Sequence, residues 1–202
     1  MLEVRLCFAR HARSEANAEG WFSGHVDVDL TDQGRAQALA LAASLAHVPL
    51  TRVVSSDLKR ALRTAAPAAA HHGLDVDAVR ALRERDMGAF TGLPTANPPA
   101  ALRAVLDDPC LRPPGGEALA QVAHRALVWL CDQPWEGQGL VVSHGGLLRV
   151  VLGLLEDLPD AALPHRAVNN AEPTRLSWDV ARALRARDRA ARLAAAAREA
   201  GS

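Results

Sequence analysis

The chain has 202 residues, enough for one compact domain, and 49% of it is hydrophobic, much of that alanine. Aromatic residues make up only 3% and tyrosine is absent, which argues against a nucleic-acid surface built on base stacking. Lys+Arg and Asp+Glu both number 23, so the formal net charge is zero and no broad electrostatic footprint for nucleic acid or an anionic membrane is expected.

Residues 2–9, LEVRLCFA, read as a short apolar strand, followed by a polar, loop-like stretch to Asp29. Helical periodicity sets in over 31–47, with Thr31 as N-cap. Residues 51–55 read as a second strand. A helix over 57–72 follows, ending near Gly73, and Pro67 should kink it or end it early. Residues 75–82 form a candidate third strand. The proline-rich segment 93–116 reads as a connection with one short helix that covers the site. A helix is expected over 117–133, a buried strand over 139–143 and an apolar helix from Gly145-Gly146 to about 156. Residues 174–180 could supply a last strand. The Ala/Arg-rich tail, 181–202, should be a surface helix frayed at its end, with a contact in a homodimer or a lipid-surface role as alternatives. Strands alternating with helices predict a three-layer α/β/α sandwich, a single domain over 1–202 with a mainly parallel central sheet.

In such sheets ligands bind beyond the carboxyl ends of the strands, and the strongest polar clusters fall there. Arg10-His11 ends the first strand, Ser56-Asp57 through Arg60 follows the second, Glu84 follows the third, and Ser143-His144-Gly145-Gly146 ends the fourth. A histidine attacks phosphorus when one ring nitrogen is unprotonated and aimed in line. The transferred oxygens then need positive charge and amide donors, which Arg10, Arg60, His144 and helix N-termini could supply. A carboxyl group must protonate the leaving alkoxide and activate the hydrolytic water, and Glu84 is placed for that.

At these positions the chain resembles the histidine phosphatase superfamily, the phosphoglycerate mutase-like proteins. The resemblance is carried by Arg10-His11-Ala12-Arg13-Ser14-Glu15-Ala16-Asn17, Ser23-Gly24, Asp29-Leu30-Thr31 with Gly34, and Ser56-Asp57-Leu58-Lys59-Arg60-Ala61 with Thr64-Ala65. It continues through LRERDMGAFTG over 82–92, Pro114-Gly115-Gly116-Glu117 and Val142-Ser143-His144-Gly145-Gly146. Beyond residue 150 it adds little except Asn169-Asn170. It implies that His11 becomes phosphorylated, that Arg10, Arg60 and His144 hold the phosphoryl oxygens, and that Glu84 donates the proton. It also implies that Ser14, Asn17, Ser23, Gly24 and Gly145 contribute to substrate binding. The activity it implies is a phosphomonoester hydrolase of the histidine acid type acting on a small phosphorylated metabolite. A mutase or a non-catalytic phospho-ligand module are the alternatives. The short connection between Gly92 and Gly115 would leave the intermediate open to water and so favours hydrolysis.

Two positions depart from the family pattern. Ala12 stands where glycine is usual, and a positive φ there would cost alanine roughly 1–2 kcal/mol. Arg13 stands where an acidic or amide residue is common, and either enlarges the anion site or faces solvent. No cofactor or metal is expected: His71-His72 are adjacent on a helix and face different ways, and HExxH and CxxC are absent. Three cysteines, Cys7, Cys110 and Cys131, argue against a disulfide framework and for a reducing cytoplasm. The N-terminal apolar run is too short for a secretory signal, and no stretch of 18 or more uncharged apolar residues suggests a transmembrane helix.

Overall fold

The computed structural model describes residues 4–199. Five strands form the main sheet: β1 (Arg5–Arg10), β2 (Leu50–Ser56), β3 (Val76–Val79), then β5 (Gln138–Ser143) and β6 (Pro173–Ser177). A pair of two-residue strands, β4 (Leu111–Arg112) and β7 (Arg198–Glu199), runs parallel beside it. The sheet order is β3-β2-β5-β1-β6. The first four run parallel and β6 pairs antiparallel with β1, so the sheet is mainly parallel, as expected. The first strand starts at Arg5 and ends at Arg10, one residue beyond the expected end, and residues 2 and 3 of the expected strand lie outside the described residues.

Side-chain alternation along each strand divides the core in two. Leu6, Phe8, Val54 and Val141 face α5 (Leu119–Cys131), α6 (Gly145–Leu155) and α7 (Val180–Ala195). Cys7, Ala9, Val53, Leu140 and Val142 face α2 (Asp32–Leu45) and α3 (Lys59–His72). Parallel strands buried on both faces explain why the middle of the sheet reads as unbroken apolar runs. The remaining helices are short: α1 (Glu15–Glu19) follows the first strand, and α4 (Ala100–Asp107) is the one helix of the proline-rich connection.

Thr31 caps α2, its hydroxyl accepting from Gly34 N at 3.0 Å. Gly34 is required by close approach, since a Cβ there would lie 2.0 Å from the Arg13 carbonyl oxygen. Pro67 does not end α3, which runs on to His72 with Gly73 in the left-handed cap. The carbonyl that loses its donor belongs to Arg63, an exposed residue whose backbone water can serve. The tail also differs from expectation. Ala183, Ala186 and Ala190 form a buried stripe of α7 against α5, and beyond the helix Arg198–Glu199 pairs with Leu111–Arg112 rather than fraying. Small alanines let the two helices approach closely, which a reading of the arginines alone hides. No helix of the described residues is long and apolar enough to cross a membrane.

Candidate active site

The three central strands, β2, β5 and β1, deliver the polar groups side by side at their carboxyl ends. Arg10 lies in register with Ser143, and His11 N donates to Ser143 O at 2.8 Å. His11 is buried, with 4% of its surface exposed. Its Nδ1 lies 2.8 Å from the Ala12 carbonyl oxygen. A carbonyl only accepts, so Nδ1 carries the proton and Nε2 keeps its lone pair. Burial, then the charges of Arg60 and Arg10, push this imidazole well below the ordinary histidine range. It is therefore neutral at pH values where a solvated histidine protonates.

The peptide around His11 is held from three sides. Ala12 N donates to Thr64 Oγ1 at 2.9 Å, and Thr64 Oγ1 donates to Arg60 O at 2.7 Å. Asn170 Nδ2 donates to His11 O at 2.7 Å, and Ala171 N donates to Arg10 O at 2.9 Å. Ala12 is fully buried and is not among the positive-φ residues, so alanine carries no backbone strain there. Arg13 turns to solvent, with Nη1 donating to Gln33 Oε1 at 2.8 Å, and does not enlarge the anion site.

Around His11 stand two arginines and a second imidazole. Arg60, 1% exposed, donates from Nη1 to Val26 O and from Nη2 to Gly24 O. Arg10 donates from Nη1 to Val168 O at 3.4 Å. The His144 ring centroid is 5.2 Å from that of His11, and its Nε2 meets Ser56 Oγ at 2.8 Å. Burial and the two arginines, with His11, also hold His144 well below the ordinary range. Among the described residues, the buried side-chain N or O atoms without a partner are Arg10 Nε, Arg60 Nε and His144 Nδ1. Leaving a buried donor unmatched costs about 1–3 kcal/mol, so their convergence here suits a ligand rich in acceptor oxygens.

Glu84 follows a 3-10 turn, Arg80–Leu82, and its carboxylate sits on the N-terminus of α6. It accepts from Gly146 N at 3.0 Å, Leu147 N at 3.2 Å and Arg85 N at 2.9 Å. Its own carbonyl accepts from His25 Nε2 at 2.8 Å and Arg125 Nη2 at 2.9 Å. Gly146 makes this possible, because a Cβ there would lie 2.6 Å from Glu84 Oε1.

These groups open on a cavity of about 380 Å³ lined by Arg10, His11, Asn17, Ser23, Gly24, Arg60, Glu84, Gly145 and Gly146. His144 lies behind that surface, in ring contact with His11. Ser14 is placed differently from expectation. It is fully buried away from the cavity and caps α1, its Oγ accepting from Asn17 N at 3.3 Å while Asn17 Oδ1 accepts from Ser14 N. Ser-x-x-Asn before a helix is a capping pattern, so the structural role had a signal in the sequence. Sequence reasoning also missed the apolar wall of Trp21, Phe22 and Met87, and the cations Arg85 and Arg149. Trp21-Phe22, two neighbouring aromatics in an aromatic-poor chain, was one available sign. Another was Arg149, four residues after Gly145 and so on the same helix face. From the covering segment, Thr95, Leu106 and Asp107 reach the cavity.

An α/β sheet whose strand ends converge a neutral, oriented imidazole, two arginines and a fixed carboxylate defines a phosphoryl-transfer class of protein. Residues 6–192 match the family profile of the histidine phosphatase superfamily, branch 1, and the chain belongs to that superfamily. The general expectation of a phosphatase family holds, while the histidine acid label names a different branch. The chain is 36% identical over 169 residues to a glucosyl-3-phosphoglycerate phosphatase of Mycolicibacterium vanbaalenii, covering 77% of this chain and 75% of the relative. It is 33% identical over 190 residues to a 2,3-bisphosphoglycerate-dependent phosphoglycerate mutase of Methylobacterium radiotolerans, covering 85% and 88%. A mycobacterial glucosyl-3-phosphoglycerate phosphatase solved in complex with VO3 superposes with a TM-score of 0.78 at 34% identity, covering 86% of this chain and 92% of that one.

Proposed function

We propose that the protein is a phosphomonoester hydrolase that works through a phosphohistidine on His11 Nε2. The observation that carries this reading is the His11 Nδ1–Ala12 O bond of 2.8 Å in a buried, neutral imidazole, which leaves Nε2 as the nucleophile. In the first step Nε2 attacks phosphorus and the P–O ester bond breaks. Glu84 enters this step protonated and gives its proton to the leaving oxygen, becoming the carboxylate that the amides of Arg85, Gly146 and Leu147 hold. In the second step water attacks phosphorus and gives its proton to Glu84, the P–N bond breaks, and its electron pair returns to Nε2. The proton on Nδ1 stays with Ala12 O throughout. Arg10 and Arg60 supply positive charge to the transferred oxygens, the neutral His144 can offer them only a hydrogen bond through its unpartnered Nδ1, and Asn17, Ser23, Gly24 and Gly145 shape the wall beside them. The substrate is a small phosphorylated metabolite, in keeping with a cavity of about 380 Å³. The similarity to glucosyl-3-phosphoglycerate phosphatases makes a glucosylated phosphoglycerate the first compound to assay. We place the enzyme in a reducing cytoplasm, a reading supported by its three free cysteines.

The test is phosphate release from phosphorylated metabolites in the presence of a chelator, with isomer formation followed in parallel. Wild type should release inorganic phosphate and His11→Ala should not, with the variant still folded. Interconversion of phosphoglycerates that exceeds phosphate release would replace the hydrolase reading with a mutase. Full turnover by His11→Ala would remove the mechanism.

A further inference from the structure

We infer that Arg149 is a specificity residue, binding a second anionic group on the leaving-group side of the phosphomonoester. The inference rests on the hydrolase reading and concerns the outer part of the same cavity.

Arg149 lies one turn into α6, on the face that Gly145 presents to the cavity. Arg10, Arg60 and Arg85, the other arginines lining the cavity, are tied to backbone carbonyls, Arg85 through Nη1 to Val105 O at 3.0 Å. The guanidinium of Arg149 has no hydrogen bond or ion pair among the described residues, though the residue is half-buried. Burial lowers the pKa of Arg10 and of Arg85, the charge of Glu84 raises them, and the charge of Arg149 lowers both a little further. Arg149 lines the same cavity as both of them.

Neither carboxylate of the cavity, Glu84 or Asp107, makes an ion pair with it. Glu84 is engaged by three backbone amides, and Asp107 is exposed at the rim without an ion pair to Arg149. A guanidinium meets a carboxylate or phosphate through two parallel bonds, which gives orientation as well as affinity. The cavity is large enough for groups beyond one phosphoryl. Across it, Trp21 and Phe22 offer an apolar wall for the body of the substrate.

The test compares 3-phosphoglycerate with glycerol 3-phosphate, which carries a hydroxymethyl group in place of the carboxylate. Wild type should prefer the carboxylate compound in kcat/KM. Arg149→Gln should shrink that preference by about tenfold, the size of one lost charge-assisted contact of about 1.4 kcal/mol, mainly through KM. Arg149→Lys should recover part of it. An unchanged ratio in Arg149→Gln would overturn the inference, as would no preference in wild type. An equal loss on both compounds would make Arg149 part of the phosphoryl clamp instead. Wild type that releases phosphate from neither compound nor any other phosphomonoester would overturn the hydrolase reading and this inference with it.

Discussion

Glu84 and Gly146 define each other. The carboxylate reaches the first amides of α6 only because residue 146 has no side chain, and those amides in turn fix the proton carrier against the cavity. In Gly146→Ala the new Cβ would displace the Glu84 carboxylate. That displacement breaks the carboxylate's bonds to the α6 amides, a loss that the better helix propensity of alanine, up to about 1 kcal/mol, offsets in part. The variant should therefore remain folded and melt near or modestly below the wild-type temperature while kcat falls about a hundredfold or more. Melting curves and initial rates separate the two effects, and a stable variant with unchanged kcat would remove Glu84 from its role. At this scale the sequence was informative where chemistry is unusual for a residue's surroundings, as with Arg10-His11 and the His144-Gly145-Gly146 turn. It was less informative where one residue type serves two purposes. Ser14 could bind an anion or cap a helix, and only the packing of α1 decides for the cap. Ala12 posed a question of φ that no side chain announces.

Among the elements, period and punctuation carried most of the reading. Thr31 and Gly73 bound α2 and α3 as cap chemistry dictates, and the GLVVS run is the central strand β5. Pro67 was misleading because its cost depends on whether the freed carbonyl meets water, a tertiary fact. The tail is hard to place from sequence because alanines look neutral there, yet Ala183, Ala186 and Ala190 are the buried residues of α7 and join the core. Ala190→Asp should place a carboxylate among apolar neighbours and cost at least about 2 kcal/mol, roughly 4–8 °C in Tm for a chain of this size. A surface helix would tolerate the change. Thermal unfolding decides between them, and a Tm within a degree of wild type would return α7 to the surface.

Across the whole molecule, the site is a product of topology. Strand order brings β2, β5 and β1 together, so residues near 11, 60 and 144 meet although they are far apart in the chain. The antiparallel β6 carries Asn170 and Ala171 back to the peptides of His11 and Arg10, so the C-terminal quarter braces the nucleophile despite its faint sequence signal. Helix faces, strand ends and the covering connection were legible because each follows from local pattern. The cavity's outer wall was not, because it is assembled from loops with no shared period. The central claim is that phosphate passes through His11 Nε2, and a rapid-quench experiment with a labelled phosphomonoester tests it most directly. Acid-labile, base-stable label should appear on the peptide containing His11 at least as fast as kcat and vanish as phosphate is released. Steady phosphate release with no label on that peptide would contradict the account and leave direct attack by water in its place.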